Sequence, residues 1–219
     1  MKYATTKVIV LTGDYGCGKT NLAVNLALML SEKGRVSVVD LDTVNPYFRT
    51  ADFSERLTGR GINVVCPMYA NTNLDIPVLG FDLESITAHS DYTILDVGGS
   101  DAGAYPLGRY CGFLNSLGDE LSMLFVMNMY RLADRSAEEA VRALRDIEAA
   151  CRCRCTALVN NSNLGAETTR ADILASAEFA QEVSRLSGLP TAFTCGTEDM
   201  ELTDTIIPVK RLVKLPWEE

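Results

Sequence analysis

The sequence predicts an α/β architecture, a mostly parallel sheet with helices on both faces, built as a single domain over residues 1–219. Two observations carry that expectation. Short β-branched runs alternate with stretches at helical spacing from one end of the chain to the other. The runs are also continuously apolar rather than alternating, which is how strands covered on both faces read. With 219 residues and 47% apolar composition, the chain can bury one sizeable core.

The elements follow in order. A strand is expected over residues 8–11, then a helix over 21–30 that is apolar nearly all round and therefore deeply packed. Gly34 is expected to cap that helix at its C-terminal end. Further strands are expected at 36–39, 62–65, 92–95, 121–127, 156–159 and 191–194. Residues 67–80 read as a loop or irregular insert. Ser136 and Glu139 have capping-box spacing, followed by apolar residues Ala137, Ala140, Val141, Leu144 and Ile147 on one helical face. A last helix is expected over 171–186, stopped by Gly188 with Pro190 just beyond.

Charge and cysteine usage narrow the function classes. A formal charge of −9 argues against a nucleic-acid-binding surface, since that affinity rests on lysine and arginine displacing counterions. No apolar stretch is long and clean enough to span a bilayer, and the tail over 206–219 is too short and proline-interrupted for a membrane-surface helix. Seven cysteines without an export signal are expected to be reduced thiols in a cytoplasmic protein.

The most informative segment is GDYGCGKT, residues 13–20. Gly13, Gly18, Lys19 and Thr20 match G-x-x-x-x-G-K-[ST], a pattern whose chance occurrence in a chain this long is on the order of one per cent. It follows a predicted strand and opens a predicted helix, as its mechanism requires. Glycines let backbone N–H groups converge on an anion at a helix N-terminus. The nucleotide site is therefore assigned to Gly13, Asp14, Tyr15, Gly16, Cys17, Gly18, Lys19, Thr20 and Asn21. Lys19 is expected on the β- and γ-phosphates, and Thr20 on Mg2+. Cys17 is either a reactive thiol in an electropositive loop or a small side chain turned away from it.

Carboxylates beside the γ-phosphate should come from the ends of neighbouring strands. VVDLD supplies Asp40 and Asp42, and ILDVGG supplies Asp96 followed by Gly98 and Gly99. Asp96 is assigned to the metal. Asp40 and Asp42 are not separated by spacing alone, since either can orient an attacking water.

GDYGCGKTNLAVNLAL, VVDLD, ILDVGG and ALVNNSN together resemble the MinD/ParA-type P-loop ATPases, from about Lys7 to Asn163. That resemblance implies a three-layer α/β/α P-loop NTPase fold with a seven- or eight-stranded sheet. It also implies ATP and Mg2+ as cofactors, and hydrolysis coupled to dimerisation and switch movement. It makes Asp42 the water-positioning carboxylate, leaves Asp40 with the metal, and makes Asn161, with Asn160 adjacent, the adenine reader. GTP-binding relatives use N-K-x-D, and NNSN lacks that aspartate, so ATP is favoured over GTP.

One departure matters. Many members carry a lysine, in K-G-G-x-G-K-[ST], that reaches a dimer partner's nucleotide; this chain has Asp14 there, which puts the usual homodimer in doubt. Arg49 and Arg109 are candidate substitutes.

The leading functional reading is an ATP-driven switch acting on a protein partner, with metallocentre assembly or positioning as candidate work. The alternative is a small-molecule kinase or ligase of the dethiobiotin-synthetase kind, in which Tyr69, Asn71, Asn73 and Asp75 are either lining residues of its substrate pocket or plain loop residues. Cys151, Cys153 and Cys155 are weighed as metal ligands against a buried helix-to-strand junction. His89 is expected on the surface, and Trp217 is expected to anchor the tail.

Overall fold

The computed structural model describes residues 2–42, 53–66, 81–131 and 136–212. In chain order these form β1 (Val8–Thr12), α1 (Lys19–Ser31), β2 (Val36–Asp40), α2 (Ser54–Thr58), β3 (Asn63–Val65), α3 (Leu83–Ala88) and β4 (Tyr92–Asp96). Then come α4 (Ser100–Ala104), α5 (Cys111–Ser116), β5 (Leu121–Met127), α6 (Ala137–Cys151) and β6 (Ala157–Asn160). The chain closes with α7 (Arg170–Ala175), α8 (Ala177–Ser187), β7 (Thr191–Gly196) and β8 (Ile206–Pro208). The expectations that rest on Arg49, on residues 67–80 (Tyr69, Asn71, Asn73 and Asp75 among them) and on Trp217 lie outside the described residues.

All eight strands join one parallel sheet in the order β3-β2-β4-β1-β5-β6-β7-β8. Strand alternation splits the core in two. Ile9, Leu11, Val38, Ile94, Leu124 and Val126 point to the face covered by α1 and α2, where Leu22, Leu26, Leu30 and Leu57 are fully buried. Val8, Val10, Leu95, Met123 and Phe125 point to the other face, covered by α3 to α6 and α8 through Leu83, Leu114, Leu144, Ile147 and Val183. The sheet is thus the middle of three layers. This explains why its central strands read as unbroken apolar runs: β1 and β2 are buried at every position.

The site lies where strand order reverses. From β1 the chain crosses through α1 toward β2, on one side; from β5 it crosses through α6 toward β6, on the other. The loops after adjacent strands β1 and β5 therefore diverge and leave a crevice at the carboxyl edge of the sheet.

The expected capping box is present: Ser136 Oγ accepts from Glu139 N at 3.2 Å, and Ser136 N donates to Glu139 Oε2 at 3.1 Å. Gly188 ends α8 with φ 76, as its position after the helix requires. Two expectations need correction. Helix α1 ends at a right-handed Glu32, and Gly34 is not left-handed; a side chain there would meet Asp91 Cβ at 2.9 Å, so close approach is what demands glycine. The single helix over 171–186 is two helices broken at buried Ser176, whose hydroxyl donates to Ile173 O and accepts from Asn160 Nδ2, both at 2.7 Å. The tail contributes an edge strand, β8, paired with β7.

Candidate functional site

The segment after β1 folds as a nest. Gly13, Gly16 and Gly18 all have positive φ, at 146, 76 and 91. Side chains cannot stand at two of them: a Cβ on Gly13 would be 2.2 Å from Val126 O, and one on Gly18 would be 2.4 Å from Asn161 Nδ2. Lys19 is buried, and its ammonium folds back to donate to Gly13 O at 3.2 Å and Asp14 O at 2.9 Å. Lys19 opens α1, so the helix N-terminus and the ammonium face the same small volume. Asp14 Oδ1 accepts from Tyr15 N at 2.6 Å, leaving Tyr15 itself more than half exposed. Cys17 is fully buried against the α1-side core, yet its thiol stays within the loop, where Lys19 Nζ donates to Cys17 Sγ at 3.7 Å; the side chain is shielded from solvent but not turned away from the ammonium.

The carboxylates converge on the neighbouring strand ends. Asp40 and Asp96 are register partners at the ends of β2 and β4 and are buried, at 0% and 1% exposure. They continue the alternation of Val38 and Ile94, so both face the α1 side, where Thr20 sits in the first turn of the helix. Two adjacent buried carboxylates repel unless a cation stands with them. The available donors are oxygen only, a hydroxyl and two carboxylates, which suits Mg2+. Among the described residues no group of three or more His, Cys, Asp or Glu is placed to hold a metal ion. Asp42 N donates to Asp40 Oδ1 at 2.9 Å, which turns the chain at the end of β2.

The D-x-G-G segment closes on this group. A Cβ on Gly98 would lie 2.9 Å from Asp42 Oδ1, and one on Gly99 would lie 2.7 Å from Tyr15 Cα. Ser100 then enters α4 with φ 65, a left-handed turn that a non-glycine residue rarely takes.

A cavity of about 480 Å3, within the range of small-ligand sites, runs along this edge. It passes from Asp42 and Gly99 over Lys19 and Thr20 to Asn161, Gly196 and Val209, following the order of the strands. Asn161 is buried and donates from Nδ2 to Cys17 O at 2.7 Å, tying β6 to the glycine loop. Asn160 instead faces Ser176 and braces α7 and α8. Asn21 lines the cavity, and its amide binds Lys210 O at 3.1 Å and Leu212 N at 2.8 Å, fastening the segment after β8 onto α1.

Two residues here carry no motif signal. Arg131, after β5, lies against Gly16 and lines the cavity. Asn128, buried at the end of β5, accepts from Tyr130 N and Asn163 N and donates to Asn163 O. A polar residue ending an apolar strand beside the loop was the only hint available. Arg109, by contrast, is exposed in the turn over Tyr105–Tyr110 and does not line the cavity.

The cysteine-rich junction is structural. Cys151, Cys153 and Cys155 are buried in the core opposite α1. Burial pushes the Cys155 thiol well up, whereas a hydrogen bond with Cys153 holds the Cys151 thiol down to about 7. Buried Glu148 accepts from Arg145, Arg154 and Cys155 N at 2.8, 2.9 and 2.8 Å, locking α6 to the start of β6. His89 is exposed as expected, at the end of α3. Among the described residues no helix is long and apolar enough to cross a membrane.

No protein-family model matches the chain, and no curated protein matches it. Solved structures do. The crystal structure of cell division protein FtsY from Thermotoga maritima is 19% identical, with a TM-score of 0.59 over 88% of this chain and 62% of that one. FtsY from Elizabethkingia anophelis in complex with GDP is 19% identical, with a TM-score of 0.54 over 85% and 56%. Signal recognition particle 54 kDa protein from Aeropyrum pernix, also in complex with GDP, is 17% identical, with a TM-score of 0.53 over 87% and 41%. The chain thus spans between 41% and 62% of the length of these structures. At such identities the likeness establishes the architecture: a three-layer α/β/α P-loop NTPase fold with eight parallel strands.

Proposed function

We propose that this chain is a Mg2+-dependent ATPase that works as a nucleotide-driven switch on a protein partner. The observation that carries the reading is the buried Lys19 ammonium, held on loop carbonyls beside the Asp40–Asp96 pair and a cavity of nucleotide size. Thr20, Asp96 and Asp40 would hold Mg2+, which when bound neutralises developing phosphate charge. Lys19 would move from its carbonyl partners to the β- and γ-phosphates. Asp42 would orient the attacking water, a task that needs a positioned acceptor more than a strong base.

Switching has a physical basis in Gly98 and Gly99. They touch Asp42 and Tyr15 so closely that a γ-phosphate arriving between loop and carboxylates must engage or displace them. Tyr15 and Tyr105, 56% and 75% exposed, flank that segment and supply an aromatic surface for the partner. The resemblance to the MinD/ParA-type ATPases suggests metallocentre assembly or positioning as the work done. Asp14 in place of the bridging lysine argues against their usual homodimer.

Adenine is favoured by Asn161. With Nδ2 given to Cys17 O, the amide is oriented and Oδ1 would accept from the 6-amine of adenine, where guanine carries a carbonyl. A second reading, GTP, rests on the GDP in two of the similar structures.

Turnover of ATP and GTP by the full chain with Mg2+, together with its mass with and without ATP, tests the reading. Slow basal ATP hydrolysis, preferred over GTP, is expected. Hydrolysis of neither nucleotide, or turnover only on adding a small metabolite, would remove the switch.

A further inference from the structure

We propose that Arg131 is a second phosphate-contacting cation, supplied by the chain to its own nucleotide; the inference rests on the nucleotide reading above. Three independent observations meet at this side chain.

The first is position. The loops after β1 and β5 flank the crevice where strand order reverses, and Arg131 stands on the β5 side of it. Its Nε, Cζ and Cδ lie 3.7, 3.8 and 3.9 Å from where a Gly16 side chain would begin, so the guanidinium rests on the glycine loop itself. It lines the same cavity as Lys19 and Thr20.

The second is support. A surface arginine on a slack loop gains little from any one contact, because ordering it costs entropy. Here the preceding turn is braced. Arg131 N donates to Asn128 O at 3.0 Å, and Tyr130 N donates to Asn128 Oδ1 at 3.0 Å. Met129 N donates to Ser162 Oγ at 3.1 Å, and the Tyr130 hydroxyl donates to Asp172 O at 2.9 Å. The base of the side chain is held against the loop after β6 and against α7.

The third is charge. Arg35, Arg145, Arg154 and Arg185 each pair with a carboxylate. Among the described residues no carboxylate pairs with Arg131. Its guanidinium is exposed at the mouth of the cavity. A planar, always-charged fork in that place suits the equatorial oxygens of a phosphate, which it can bind in bidentate fashion. It adds positive charge to a cavity that Asp42 also lines, beside a loop whose second position, Asp14, is itself acidic.

The test is calorimetric titration of the full chain with Mg2+ and a non-hydrolysable ATP analogue at fixed salt, using wild type, Arg131→Ala, Arg131→Gln and Arg131→Lys. Unfolding midpoints without nucleotide are measured alongside. Arg131→Ala and Arg131→Gln are expected to bind roughly 10- to 100-fold more weakly, the range for losing a charge-assisted contact, at an unchanged midpoint. Arg131→Lys, which keeps the charge, is expected to recover part of the loss. Alanine and glutamine variants that bind within twofold of wild type would overturn the role of Arg131 and leave the nucleotide reading standing. A folded wild-type chain that binds no analogue would overturn both.

Discussion

Two buried charges at opposite edges of the sheet are held in opposite ways. Glu148, at the amino edge, has its acceptor positions filled by two guanidinium groups and a backbone N–H. Lys19, at the carboxyl edge, rests on two loop carbonyls beside an open cavity, and among the described residues no carboxylate pairs with it. The first arrangement is complete and serves the fold. The second leaves a buried positive charge with neutral partners beside a cavity, the arrangement that the proposed function assigns to an incoming anion. The contrast separates a structural buried charge from a functional one without appeal to sequence motifs.

Substitutions can break that comparison, beginning with the largest expected effect. Lys19→Ala should lower ATP turnover about a thousandfold or more, since phosphoryl transfer rests on electrostatic positioning. Its unfolding midpoint should stay close to wild type; a large drop would make Lys19 a structural charge after all. Gly13→Ala should cost roughly 3 kcal/mol or more of stability, because a methyl group would enter Val126 O at a positive φ. Chemical denaturation measures this, and a loss below about 1 kcal/mol would mean the nest yields easily. Glu148→Ala should cost roughly 1–3 kcal/mol by the same method, since Cys155 N loses its buried partner while the more exposed arginines regain water. Nucleotide affinity in that variant should not change, and a change would couple the two edges.

The smallest effect concerns the start of α7. Hydrogen bonds from the Thr169 side chain and backbone lower the Asp172 pKa below its usual 3.8. A folded-state pKa that is depressed stabilises the fold above the unfolded value and loses that contribution as pH falls through the folded value. The gap in unfolding midpoint between wild type and Asp172→Asn should therefore be present at pH 7 and shrink below about pH 3.8. A gap independent of pH would mean that the charge contributes nothing.

Local signals account for most of the fold. Strands β1, β2, β4, β5 and β6 were readable as apolar runs because both faces are covered, and α6 was readable from its cap and its single apolar face. What stayed hidden depends on distant partners. Strand β8 is a three-residue edge strand ending in Pro208, too short for any pattern. The break at Ser176 is made by Asn160, 16 residues away. At the site, the glycine loop and the strand-end aspartates were legible because their chemistry needs fixed spacing. Asn161 was picked out as a base reader, but its bond to Cys17 O spans 144 residues and only the fold reveals it. Arg131 had no motif to mark it, since its meaning comes from the crossing of β5 beside β1. Arg109, in the turn before α5, does not line the cavity.

The central claim is that the loop around Lys19 receives a magnesium-bound adenine nucleotide. Calorimetric titration of the folded full chain with MgATP, in parallel with Lys19→Ala, addresses it most directly. Saturable binding by the wild type that disappears in the variant is the expected result. Equal heats from both proteins, or no binding by either, would contradict the claim.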